Sequence, residues 1–75
     1  EVMVVDKVAI NTEFIKLGQL LKFASIVGNG SDAKMLIADG IVKVNGVVVT
    51  ERGKKIHPGD VVEVEGMGSV EVEAE

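Results

Sequence analysis

Residues 28–46 read GNGSDAKMLIADGIVKVNG, and this stretch decides the fold. Asn29 or Ser31 can cap the start of a helix, since a short side-chain oxygen accepts a hydrogen bond from a free amide of the first turn. Gly40 lies where a left-handed backbone ends a helix at no steric cost. The apolar positions between them recur at helical spacing; they are Ala33, Leu36 and Ile37. The stretch therefore predicts a short helix with one buried stripe.

A strand and a tight turn follow this helix directly. Residues 41–44 are mostly β-branched, which favours extended backbone. Asn45-Gly46 is the strongest short-range signal for a two-residue hairpin, and both residues are expected at positive φ. Residues 47–49 then return as the second strand. A helix joined rigidly to a hairpin forms a platform on which a ligand can bind.

The flanking segments supply a second helix and further strands. Residues 2–10 predict a strand, and residues 11–13 break it. A helix with one apolar stripe is expected next; its apolar positions are Leu17, Leu20, Leu21, Ala24 and Val27. A charged loop at 51–55 and a turn at 57–60 follow. Two strands, at 61–65 and 70–73, then alternate valine with glutamate around a hairpin at 66–68. These strands are expected to bury their valines and expose an acidic face.

Length and composition indicate a single domain spanning 1–75. The chain has 75 residues, of which 47% are hydrophobic, enough for one small core. It has no cysteine, which excludes disulfides and thiolate metal sites and fits a reducing compartment. No apolar run approaches the roughly 18 residues of a membrane span, and no signal peptide is evident. We expect a cytoplasmic protein without a membrane partner. The predicted core is Leu20, Leu21, Phe23, Leu36, Ile37, Val42, Val44, Val62 and Val64.

Charge is unevenly distributed along the chain. The net charge is −4, which taken alone argues against a nucleic-acid partner. Residues 14–59, however, carry seven basic and three acidic side chains, whereas residues 60–75 carry six acidic side chains and no basic one. Local potential decides what a surface attracts, so this asymmetry predicts separate basic and acidic faces. The alternative interpretation is that scattered lysines only keep a small domain soluble.

Residues suited to catalysis are few. His57, the only histidine, stands beside Pro58-Gly59 and is expected in a turn. The spacing Gly28-x-Gly30-x-x-Ala33 resembles a dinucleotide fingerprint, but that motif needs a preceding strand and a helix is expected there. No nucleophile is paired with a base. We therefore expect no enzymatic activity, no cofactor and no metal.

Three segments share their spacing with a known family. They read KLGQLLK at 16–22, AKxLIxxGxVxVNG at 33–46 and RGKKIxxGDxV at 52–62. Over residues 12–66 they resemble the RNA-binding domain named after small-subunit ribosomal protein S-four, also called the αL motif. In extent the chain is similar to the small stand-alone bacterial members of the YaaA and YbcJ type. The resemblance implies an α+β fold, with two short helices packed on a small antiparallel sheet and a helix-turn-helix followed by β-hairpins.

The resemblance also implies binding to structured ribosomal RNA through the second helix and the adjoining hairpin. Three lysines could line the helical side of a groove, four basic residues the sheet side, and the second helix's free amides favour a phosphate. The candidate RNA-binding residues are Lys16, Lys22, Asn29, Ser31, Lys34, Lys43, Arg52, Lys54 and Lys55. Phe14 and Phe23 are expected in the core, which leaves little base stacking on exposed rings. Recognition of backbone and shape is therefore expected, by a monomer.

Two other functions fit the same residues. A protein-interaction module of this fold would use the acidic strands instead of the basic groove. An RNA-targeting fragment of a larger RNA-modifying enzyme would only position the substrate. A continuous basic groove favours RNA binding, and interspersed signs favour the interaction module.

Overall fold

The computed structural model describes residues 5–24 and 26–75. In these residues, two helices and seven short strands follow one another. They are β1 (Val5–Ile10), β2 (Ile15–Lys16), α1 (Leu17–Phe23), α2 (Gly30–Ala38), β3 (Val42–Val44), β4 (Val47–Val48), β5 (Lys55–Ile56), β6 (Val61–Val64) and β7 (Gly68–Ala74). The expected α+β class is confirmed. Residues 2–4 of the first expected strand lie outside the described residues.

Five strands form the main sheet, in the order β1-β7-β6-β3-β4. The pairs from β7 to β4 are antiparallel, as expected, whereas β1 runs parallel to β7. A hairpin can join only antiparallel strands, but almost the whole chain separates β1 from β7, so this pairing is free to be parallel. The sheet is therefore mixed. A separate two-stranded sheet joins β2 to β5.

The segment that decides the fold behaves as its local signals predict. The Asn29 side chain caps α2 by accepting a hydrogen bond from the Asp32 amide at 2.9 Å. Gly40 follows the helix at φ 77°. Asn45 and Gly46 both have positive φ, 52° and 85°, which confirms the two-residue hairpin between β3 and β4.

The first helix is shorter than its apolar stripe suggested. It ends at Phe23, and Ala24 forms its C-cap. Beyond it the amides of Ile26 and Val27 both donate to the carbonyl of Leu21, at 3.0 and 3.3 Å. Val27 is thus a buried residue of the connection between the two helices and not of the first helix itself.

The core lies between the two helices and the valine face of the sheet. Seven of the predicted members are buried: Leu20, Leu21, Ile37, Val42, Val44, Val62 and Val64. Leu36 is partly buried and packs against them. Five residues outside the predicted core list are buried too: Leu17, Val70 and Val72, which the helix stripe and the valine alternation had indicated, and Ile10 and Ile56, which no sequence pattern had indicated. These residues join β1, β5 and β7 to the core.

The prediction that Phe23 is a core residue is wrong. Its side chain is 63% exposed. At about 100° per residue, Phe23 lies roughly 60° beyond Leu20, the edge of the buried stripe, and about 120° from Leu17 at the stripe's centre. Within residues 5–24 and 26–75, no helix is long and apolar enough to cross a membrane.

Candidate nucleic-acid interface

A surface cleft lined by cationic side chains lies at the start of α1. Lys16, Lys22 and Arg52 all line it, and its volume is about 360 Å³. Gly18 and Gln19 of the first helix, Ala33 of the second and Gly53 of the charged loop complete the walls. We call this surface the cationic cleft. It brings together basic residues from β2, α1 and the loop before β5.

Backbone hydrogen bonds hold the charged loop against α1. The Leu17 amide donates to the Lys54 carbonyl at 2.9 Å, and the Gly18 amide donates to the Arg52 carbonyl at 3.0 Å. The pairing of β2 with β5 continues this contact. The first amides of α1 are thus satisfied by the loop, and the position of Arg52 over the helix is fixed by main-chain bonds.

A glycine is needed at position 18 because the Arg52 side chain approaches the helix closely there, not because the backbone turns. A Cβ atom at position 18 would lie 2.7 Å from Cγ of Arg52 and 3.3 Å from its Cδ. Real Cβ atoms essentially never come this near another heavy atom, so any larger residue here must displace the arginine side chain. The glycine costs helix propensity, up to about 1 kcal/mol relative to alanine. In exchange the Arg52 side chain lies directly over the helix, beside the cationic cleft.

Two further candidates lie outside the cationic cleft, on the hairpin side of the domain. Lys54 and Lys55 line a depression that also contains Asn45, His57 and Asp60. The ammonium of Lys55 lies 4.9 Å from the ring centroid of Phe14, within cation–π range. The Arg52-Gly53-Lys54-Lys55 run is therefore divided, with its first residue in the cleft and its last two on the neighbouring surface.

The remaining candidates are spread over α2 and the sheet. Ser31 and Lys34 are exposed on α2, whose residue Ala33 borders the cationic cleft. Asn29 is exposed, and its side-chain oxygen already accepts the capping hydrogen bond from the Asp32 amide. Lys43 lies opposite Glu63 in the register of β3 and β6, on the outer face of the sheet. Lys43 is thus apart from the cleft, with Glu63 beside it on β6 and Val48 beside it on β4.

Asn45 and Asp60 connect the hairpin to the turn at 57–60. The Asn45 amide group donates to the Asp60 carboxylate at 3.0 Å, and its oxygen accepts from the Val61 amide at 2.9 Å. The same carboxylate accepts from the His57 amide at 2.8 Å. Burial raises the pKa of Asp60, but these two hydrogen bonds and the nearby charges of His57 and Lys54 lower it below the usual 3.8. His57 is a turn residue, as predicted.

An aromatic groove adjoins the cationic cleft, and sequence reasoning missed it. Phe14, Phe23 and Gln19 line it with Asn11, Thr12 and Glu75, in a volume of about 550 Å³. We call this surface the aromatic groove. Gln19 lines both surfaces and separates them. The signal that could have revealed the groove was present, because Phe23 falls outside the Leu17–Leu21 stripe on a helical projection.

The acidic residues face outward from the sheet. Glu63 on β6 and Glu71 on β7 are half-buried, Glu73 on β7 is exposed, and Glu65, which follows β6, is exposed too. Lys7 and Lys43 lie opposite Glu71 and Glu63 in register. The chain thus presents a cationic cleft at the helices and a mainly acidic outer face on the sheet. In the described residues, no three His, Asp or Glu side chains are grouped to hold a metal ion.

Two helices on a mixed sheet, with a cation-lined cleft at the first helix, define a small α+β domain with a charged surface site. The sequence matches the S4 domain family over residues 8–73. The protein belongs to this family, which confirms the resemblance found in its motifs. It is also similar to the probable ribosome maturation protein RlbA of Bacillus subtilis (strain 168), with 43% identity over 67 residues. The alignment covers 89% of this chain and 94% of that relative.

Proposed function

We propose that the protein is a non-enzymatic RNA-binding domain that recognises structured, ribosome-related RNA. The observation that carries the proposal is the convergence of Lys16, Lys22 and Arg52 on one cleft. Three separate elements supply these cations, and the main-chain bonds from Leu17 and Gly18 hold two of the elements together. The S4 family assignment and the name of the RlbA relative support the same role.

The cationic cleft would hold backbone phosphates rather than bases. Lysine and arginine side chains neutralise phosphates, which positions a nucleic acid without reading its sequence. Lys54 and Lys55 would extend the contact along the hairpin side. Ser31 and Lys34 would extend it along α2, since Ala33 borders the cleft. Lys43 would contribute least, because Glu63 lies opposite it.

The outer face of the sheet favours a second function, a protein-interaction module. Glu63, Glu71 and Glu73 lie on β6 and β7, away from the cleft. This acidic face would repel RNA, and it suits a basic protein segment. In a complex with a ribonucleoprotein, both surfaces could be used at once. An RNA-targeting role inside a larger enzyme would use the cationic cleft in the same way.

Crosslinking in cells tests the RNA proposal. The tagged protein is crosslinked by ultraviolet light, and the attached RNA is sequenced for the wild type and for a variant with Lys16→Gln, Lys22→Gln and Arg52→Gln. We expect ribosomal or ribosome-associated RNA with the wild type and a strong loss with the variant. The matched control changes Glu63, Glu71 and Glu73 to glutamine. Equal recovery of RNA from the cleft variant would contradict the proposal, and loss of a protein partner from the control alone would favour the interaction module.

A further inference from the structure

We propose that the aromatic groove holds an unpaired nucleobase of the RNA whose backbone lies in the cationic cleft. This inference rests on the proposed function and adds to it the kind of RNA that is preferred. It follows from the exposure of Phe23, which is 63% and makes it the more exposed of the two phenylalanine rings; the other exposed large apolar side chains, Met35, Val47, Val48 and Met67, carry no ring. A base stacked on an aromatic ring is a common device for binding unpaired nucleotides.

The two rings of the groove differ in availability. Phe14 is half-buried, Lys55 lies over its face at 4.9 Å, and His57 lies 6.1 Å from its centroid. Phe23 has no such neighbour among the aromatic and cation–π contacts of the described residues. Phe23 is therefore the ring with a face open for stacking.

The polar residues of the groove suit the edge of a base. Asn11 and Gln19 each carry a side-chain amide, which can donate to and accept from base edges. Neither amide is hydrogen-bonded to another side chain or to main chain in the described residues. Glu75 also lines the groove, and its carboxylate would accept from a base amino group but repel a phosphate. The groove therefore favours a base, and the neighbouring cleft favours the phosphate.

Because the cationic cleft and the aromatic groove adjoin each other, one RNA can occupy both. Gln19 lines both of them, and Lys22 in the cleft immediately precedes Phe23 in the groove. A nucleotide turned out of a helix can thus place its base on Phe23 while the adjoining backbone meets Lys22. The volume of about 550 Å³ is in the range of ligand-binding clefts.

The test compares two RNA hairpins with the same stem, one fully paired and one with a single bulged 5-iodouridine. We expect the wild type to bind the bulged hairpin more tightly. Phe23→Leu should reduce this affinity roughly 5- to 100-fold, as expected for the loss of one base–aromatic stack, and should leave the paired hairpin unchanged. Phe23→Tyr, which keeps the ring, should restore the preference. Light-induced crosslinking of the iodouridine should attach to position 23.

Met35→Leu is the matched control, because Met35 is also 63% exposed but lies on α2. Equal affinity of wild type and Phe23→Leu for the bulged hairpin would overturn the inference while leaving the proposed function intact. Equal weakening of both hairpins would also overturn it, since stacking on an unpaired base cannot affect the paired RNA. A change of oligomeric state in Phe23→Leu would identify the groove as a contact between copies instead. Failure of the wild type to bind either hairpin would overturn both proposals.

Discussion

Asn45 offers a direct test of how the hairpin platform is held. Its side chain makes two hydrogen bonds across the structure, to the Asp60 carboxylate and from the Val61 amide, at 3.0 and 2.9 Å. Its φ of 52° is a left-handed conformation, which glycine adopts freely and alanine does not. Asn45→Gly therefore removes the hydrogen bonds without straining the backbone, whereas Asn45→Ala removes them and adds backbone strain.

The expected magnitudes follow from these contacts. Each exposed hydrogen bond contributes about 0.5–1.5 kcal/mol, and the glycine adds less than about 1 kcal/mol of unfolded-state entropy. We expect Asn45→Gly to lower the free energy of unfolding by about 1–4 kcal/mol. Asn45→Ala should cost about 1–2 kcal/mol for the left-handed backbone in addition to the lost bonds.

Urea unfolding monitored by circular dichroism measures both variants. The slope of unfolding free energy against urea should stay unchanged, because the buried surface is the same. The matched control is Asn11→Gly, which lies on the surface outside the hairpin. Asn45→Gly within about 0.5 kcal/mol of the wild type, the usual range of a surface change, would refute the role of the two hydrogen bonds.

Three further predictions concern the core, the turn and the cleft. Ile37→Ala should cost about 2–5 kcal/mol in urea unfolding, whereas Phe23→Ala should cost far less because its ring is mostly exposed; the reverse order would contradict the helix register. Because the folded pKa of Asp60 lies below 3.8, the stability its charge contributes is present above about pH 4 and lost as pH falls through the folded value. The stability difference between wild type and Asp60→Asn should therefore shrink at low pH, and a difference independent of pH would exclude this linkage. Gly18→Ala should displace the Arg52 side chain and weaken RNA binding as Arg52→Gln does, and full binding by the alanine variant would show that the close approach has no functional role.

Local signals predicted the second helix and the hairpin well. Asn29 caps the helix, Gly40 ends it, and Asn45-Gly46 forms the turn, since each of these features depends on only a few neighbouring residues. The parallel pairing of β1 with β7 could not be predicted in the same way. When no short turn connects two strands, the residues near them do not indicate whether the strands pair parallel or antiparallel.

The sequence predicted which residues belong to the candidate site but not how the fold arranges them. The basic run 52–55 is continuous in sequence, yet the structure directs Arg52 into the cationic cleft and Lys54 and Lys55 to another surface. The hydrogen bonds of Leu17 and Gly18 to the loop cause this division, and no sequence spacing reveals them. Phe23 was misplaced because composition favoured burial, whereas the helical phase of α1 exposes the ring.

The salt dependence of RNA binding shows most directly whether the cationic cleft holds RNA phosphates. Affinity for one structured RNA is measured over a range of salt concentrations for the wild type, for the cleft variant Lys16→Gln, Lys22→Gln, Arg52→Gln, and for a control with Lys7→Gln and Lys43→Gln on the outer sheet face. Each lost phosphate contact should reduce the slope of log affinity against log salt by up to roughly 0.9. We expect weak binding and a much shallower slope for the folded cleft variant, and a nearly unchanged slope for the control. A wild-type affinity and slope in the folded cleft variant would contradict the binding of phosphates in the cationic cleft.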